Sequence, residues 1–184
     1  MEESPKMNNR NSKIRKIAAS AIIAAAYAVL TMVLAPISYG AVQLRISEAM
    51  CILPFFIPSS AFGLALGCAI ANILTGNIFD IIFGSLATLC AGLITAYLGK
   101  KAYSMKNCLL ACLMPVIFNA LVVGAVITTA YSGLNLFKHF GVFALNAAYV
   151  GLGEAIVLYA VGLPLMRNLH KNKFFTDMIS KINS

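Results

Sequence analysis

The stretch ISEAMCILPFFIPSSAFGLALGCAIANILT, Ile46 to Thr75, is apolar enough for a membrane helix but carries Pro54 and Pro58 in its interior. One continuous rod would lose backbone hydrogen bonds at both prolines, so it reads as two helices, Ile46 to Ile57 and Ser59 to Thr75. Working outward, apolar runs and their breakers give a first helix over Lys13 to Ala35, a fourth over Ile78 to Leu98, a fifth over Asn107 to Tyr131 and a sixth over His139 to Arg167. Charge tests the count. Six crossings from a cytoplasmic N-terminus put Lys6, Arg10, Lys13, Arg15, Lys16, Lys100, Lys101, Lys106, Arg167, Lys171, Lys173 and Lys181 inside and leave Arg45 and Lys138 outside. Five crossings would place Lys100, Lys101, Lys106 and the C-terminal lysines on the wrong face. The second helix is short for a span of roughly 17 to 25 residues, which calls for a tilt or for a turn at Pro58 submerged among other helices.

Composition agrees with this class. The chain of 184 residues is 60% hydrophobic and 11% charged, with mean hydropathy +0.86. That is more apolar surface than one soluble core of this size hides, so the expected class is an all-α integral membrane protein with both termini cytoplasmic. The expected layout is a polar tail over 1–12, a six-helix membrane domain over 13–167 and a basic cytoplasmic tail over 168–184. No cleavable signal peptide is expected, because the first apolar run is long and follows a basic segment. The net charge of +8 lies in the tails and in Gly99 to Lys106, which reports topology and leaves no basic stripe for nucleic acid.

Between Lys16 and Lys100 the only charged residues are Arg45, Glu48 and Asp80. Inside a bilayer such a group costs about 2.5 to 3.5 kcal/mol, so each is expected to face a polar cavity, a partner or the membrane edge. Arg45 and Glu48 begin the second helix and Asp80 begins the fourth, near the outer end. Asn72, Asn119 and Glu154 lie deeper, and together these groups are expected to line a pocket open outward. On the sixth helix Ala147, Gly151 and Glu154 share a face along which a ligand is expected to approach. Each has a plainer competing role: Arg45 and Glu48 as a neutralising pair, Asp80 as a helix cap, the asparagines as helix glue. Glu154 has no basic residue of its own segment near it and is the hardest to explain structurally.

Enzyme chemistry finds little support. His139 and His170 belong to opposite membrane faces, and the five cysteines (Cys51, Cys68, Cys90, Cys108 and Cys112) contain no CxxC pair, so no metal site or covalent cofactor is expected. Gly99-Lys100 resembles the end of a phosphate loop, but Ile94 stands where its first glycine belongs and Lys101 replaces the Ser or Thr. An intramembrane acid-base pair of Asp80 and Glu154 stays as a rival, with GLGE at Gly151 to Glu154 a near match to a GxGD-type motif. A purely structural subunit is the other. Small residues offer contact faces: Ala21 with Ala25 and Ala24 with Ala28 form strips on the first helix, and Gly63 with Gly67 a second, each able to serve a partner or the packing of the chain itself.

The blocks VQLRISEAMCILPFF, IANILTGNIFDIIFGSLATL, PVIFNALVVG and GLGEAIVLYAVGLPL, in that order, resemble the QueT family of queuosine-precursor transporters. These are substrate-binding S components of energy-coupling factor (ECF) transporters. The resemblance covers the first helix to about Arg167 and implies a six-helix S-component bundle in a prokaryotic cell membrane, binding a 7-deazaguanine derivative from outside. It implies partners too: a transmembrane scaffold and two ATPase subunits that carry the ATP-Mg, docking through the strip of Ala21, Ala24, Ala25 and Ala28. Arg45, Glu48, Asn72, Asp80, Asn119 and Glu154 are then the candidate polar contacts, with Phe79, Phe118 and Tyr149 candidates to stack on the base. The loop from Pro36 to Arg45 is expected to help close over the ligand, with an aminomethyl precursor, a cyano precursor and queuine as the candidates and another vitamin-like cargo as the alternative.

Overall fold

The computed structural model of the chain describes residues 5–39, 43–101 and 103–183. It is all-helical, and we number its main elements α1 (Pro5–Val33), α2 (Ile46–Phe55), α3 (Ser60–Asn72, extended by a 3-10 turn to Thr75), α4 (Asp80–Lys101), α5 (Met105–Tyr131), α6 (Phe140–Lys171) and α7 (Lys173–Asn183). Four of them, Arg10–Val33 within α1 together with α4, α5 and α6, are long and apolar enough to cross a membrane, whereas α2 and α3 are shorter apolar helices. Large apolar side chains face outward along the bundle, among them Ile17, Ile22, Val29, Phe62, Leu66, Leu152 and Ile156. Such a surface suits lipid and would be unstable in water.

The break expected at Pro54 and Pro58 is present, but α2 is wound differently from its neighbours. It is a 3-10 helix of 10 residues, and at about 2.0 Å per residue it reaches roughly 20 Å, a third further than the same residues in an α-helix. It is also the most enclosed element. Ser47, Glu48, Ala49, Cys51, Ile52, Pro54 and Phe55 are buried, because α2 packs against α1, α3, α4, α5 and α6 together. The main core forms around it from Ile23, Tyr27, Leu64, Cys112, Leu158 and Met166.

Neighbouring helices approach where side chains are absent. A Cβ on Gly67 would lie 2.6 Å from the Ala24 carbonyl oxygen and 3.0 Å from Tyr27 Cβ, and one on Gly63 would strike the backbone of Ser20. The two small-residue strips therefore meet each other: Ala24 and Ala28 are buried against α3, while Ala21 and Ala25 remain exposed. Ser20 adds a hydrogen bond from its Oγ to the Ser59 carbonyl at 2.9 Å. At the far end of α3, Gly76 with φ of 66° makes the left-handed turn into α4.

Among the described residues helices run close to both ends. Helix α1 begins at Pro5, and α7 folds back beneath the bundle, where Arg15 Nη1 donates to the Lys181 carbonyl at 3.1 Å and Phe175 meets Phe56 edge-on at 5.6 Å. The basic residues at the start of α1, the end of α4, the start of α5 and the end of α6 gather at this end. Opposite it lie the end of α3, the start of α4, the end of α5 and the start of α6.

The α1–α3 contact makes a direct prediction. Gly67→Leu should force the two helices apart and cost about 1 to 3 kcal/mol, seen as a fall of several degrees in the thermal midpoint of detergent-purified protein. Gly141→Leu, where nothing lies within 4 Å of an added Cβ, should leave the midpoint unchanged.

Candidate functional site

At the end opposite the basic cluster the helices splay around a cavity of about 570 Å³, lined by Tyr39, Gln43, Leu74, Thr75, Asp80, Ile127, Tyr131, Asn146 and Tyr149. Irregular helix turns shape its wall. Asp80–Gly84 and Ile127–Tyr131 are both π-helical, and these wide turns carry Asp80, Ile127 and Tyr131 to the cavity edge. Gly84 leaves room for Asn72 to approach the first turn, since a Cβ there would lie 2.8 Å from Asn72 Nδ2. That amide donates to the Asp80 carbonyl at 3.1 Å and ties the end of α3 to the start of α4.

The capping role open to Asp80 is taken by another residue. Asn77 Oδ1 accepts from the Phe79 backbone N–H at 2.9 Å, so the start of α4 has its cap one turn earlier. The Asp80 carboxylate lies beside Thr75 and Tyr131 at the cavity wall. Tyr39 is held by its hydroxyl, which donates to the Ala71 carbonyl at 2.6 Å. Asn146 donates its Nδ2 to Thr128 Oγ1 at 3.0 Å, which leaves its carbonyl and its second N–H to offer a ligand.

Beneath the cavity the other candidate residues form a buried polar layer. Glu48 is 1% exposed; one carboxylate oxygen accepts from Tyr27 Oη and the other from Cys51 Sγ at 2.9 Å. Next to it Thr31 Oγ1 and Ser47 Oγ share a hydrogen bond at 2.6 Å. Glu154 Oε1 accepts from Asn119 Nδ2 at 2.9 Å, while Glu154 Oε2 and Asn72 Oδ1 have no partner. Arg45 does not pair with Glu48 as a neighbour on one helix would. Its Nε donates to the Ser38 carbonyl at 3.4 Å and its guanidinium packs on the Tyr39 ring, 5.2 Å from the centroid, with Nη2 unpaired.

Of the nine residues singled out from sequence for ligand contact, Asp80 and Tyr149 line the cavity. Arg45, Glu48, Asn72, Asn119 and Glu154 lie buried below or behind it. Phe79 points outward, 52% exposed and stacked on Phe83, and Phe118 is half-buried on α5. The small-residue face of α6 is taken up by α5 instead of a ligand path: Gly124 packs on Ala147, Ala120 on Gly151, and Asn119 reaches Glu154. The loop expected to close over a ligand falls partly outside the described residues, at 40–42, but Tyr39 and Gln43 on either side of that gap both line the cavity.

Sequence reasoning reached Tyr39 and Gln43 only as members of the Pro36 to Arg45 loop, and passed over Leu74, Thr75, Ile127, Tyr131 and Asn146. Asn146 carried the same signal as Asn119, a lone amide in an apolar run. Tyr39 and Tyr131 stand near helix ends, where a tyrosine is ordinarily an interfacial anchor. The turns that aim Ile127 and Tyr131 inward have no sequence signature that distinguishes them from an α-helix.

Comparison with known proteins places these features. The family model described as QueT transporter matches residues 17–171. The chain is also 40% identical over 82 residues to the queuosine precursor transporter QueT of Lactococcus lactis subsp. cremoris (strain MG1363), an alignment covering 44% of this chain and 48% of that protein. The match thus spans about half the length of the curated relative. No solved structure matches the chain. With the family model covering most of its length, this multi-pass membrane protein belongs to the QueT transporter family.

Proposed function

We propose that this chain is the substrate-binding S component of an ECF-type importer and binds a queuosine precursor or queuine in the cavity between α3, α4, α5 and α6. The observation that carries the reading is the cavity itself, in a member of the QueT transporter family. Three tyrosine rings, two amides, a hydroxyl and a carboxylate surround about 570 Å³, within the size range of small-molecule sites. A deazaguanine offers flat faces for the rings and an edge of adjacent donors and acceptors for the two amides and the hydroxyl.

The basic residues gather at the opposite end, so the positive-inside rule turns the cavity mouth outward and supports six crossings with both termini cytoplasmic. On this reading α2 and α3 complete the six, with the extended rise of the 3-10 helix helping α2 reach across. Ala21 and Ala25, the exposed part of the alanine strip, are available to a transmembrane scaffold, while Ala24 and Ala28 hold α1 against α3. ATP hydrolysis is assigned to two partner ATPases, and the chain itself does binding chemistry without covalent change.

Two experiments test this. Detergent-purified protein, incubated with aminomethyl- and cyano-7-deazaguanine, queuine, guanine and an unrelated vitamin, should be stabilised selectively by a deazaguanine. At a concentration about 100 times Kd the midpoint should rise by roughly 5 to 10 °C, and Tyr131→Ala or Asn146→Ala should shrink that shift. A shift with the vitamin alone would move the reading to another cargo. For topology, fusions of a periplasm-active phosphatase after Lys138 should be active and those after Lys101 or Lys181 inactive; the reverse pattern would invert the cavity.

A further inference from the structure

The cavity wall carries one carboxylate, Asp80, and among the described residues no lysine or arginine lines it. The nearest guanidinium, Arg45, is 4% exposed and packs on the ring of Tyr39, which itself lines the cavity. Glu48 and Glu154 are buried away from the lining and held by Tyr27, Cys51 and Asn119, so Asp80 is the carboxylate that faces the cavity.

Asp80 does not cap the helix it begins; its carboxylate accepts from the side chains of Thr75 and Tyr131 at the cavity wall and feels the charge of Arg45 behind it. Asn77 caps α4, and Asn72 engages the backbone carbonyl of Asp80 and not its side chain. Tyr131 and Tyr149 share the same cavity. A carboxylate with aromatic faces nearby is the arrangement that receives an ammonium group, through a charged hydrogen bond and cation–π attraction. The amides of Gln43 and Asn146 leave the neutral edge of a ligand to be read elsewhere on the wall.

We infer that Asp80 is the specificity-determining residue of this cavity, selecting a deazaguanine that carries a protonated aminomethyl group over its uncharged counterparts. The inference rests on the substrate reading above. A charged hydrogen bond of this kind corresponds to roughly 10- to 100-fold in affinity.

Titration calorimetry of the purified full chain with aminomethyl- and cyano-7-deazaguanine tests it. Wild type should bind the aminomethyl compound at least about tenfold more tightly. Asp80→Asn should abolish that ratio and leave the affinity for the cyano compound within about threefold. Equal wild-type affinities, or an equal loss for both ligands in Asp80→Asn, would overturn the inference while leaving the cavity a deazaguanine site. Binding of neither compound by folded wild type would instead overturn the substrate reading. Should Asp80→Asn fail to fold, wild type alone still decides. 7-Hydroxymethyl-7-deazaguanine matches the aminomethyl compound in size and lacks its charge. It should bind at least about tenfold more weakly, and equal binding overturns the assignment.

Discussion

A carboxylate buried in an apolar bundle must be satisfied locally, and the pairing of Glu48 with Tyr27 and Cys51 is the contact on which this structure turns. Removing one partner from a buried charged group is costly, because no water replaces it. The contact joins α1 to α2, and Tyr27 also packs against Gly67 of α3. Three helices are thereby fixed at one point. Thr31 and Ser47 repeat the tie one turn closer to the cavity, so the floor of the site is held by hydrogen bonds and not by apolar packing alone.

The enclosure of α2 follows from the same constraint. A helix packed against five others has little lipid-facing surface, Ile46 being its exposed residue, and its sequence is accordingly apolar apart from its first turn. Its 3-10 winding places Glu48 and Cys51, three residues apart, on one face, because three residues make a full turn. An α-helix would also bring them near, but with a shorter reach toward the far end, where the backbone of Phe55 receives Gly99 of α4.

Much of this was legible in the residues. Pro54 and Pro58 marked the break, and lone charges and amides in apolar runs marked Glu48, Asn72, Asp80, Asn119 and Glu154 as groups requiring partners. Their cost of burial is a property of the side chain and shows in any apolar context. What sequence does not encode simply is whether the partner is another side chain or a ligand. Glu48 and Asn119 meet protein groups, Asp80 meets a cavity, and the difference depends on helix rotation. The face of Ala147, Gly151 and Glu154 shows this: small residues admit a close neighbour, and that neighbour is α5. Tyr131 escaped notice for the complementary reason, since tyrosines near helix ends are common for unrelated causes.

The π turns at Asp80–Gly84 and Ile127–Tyr131 give the cavity an unusual kind of adjustability. Each wide turn accommodates a residue beyond the α-helical count, and loss of one residue there would restore ordinary winding. Restoring it would change which side chains the turn presents to the cavity, Asp80 or Tyr131 among them, while the flanking segments of α4 and α5 keep their register. The wall of this site is thus open to remodelling by insertion and deletion at two turns, a route by which related chains can exchange the groups they present without disturbing the bundle.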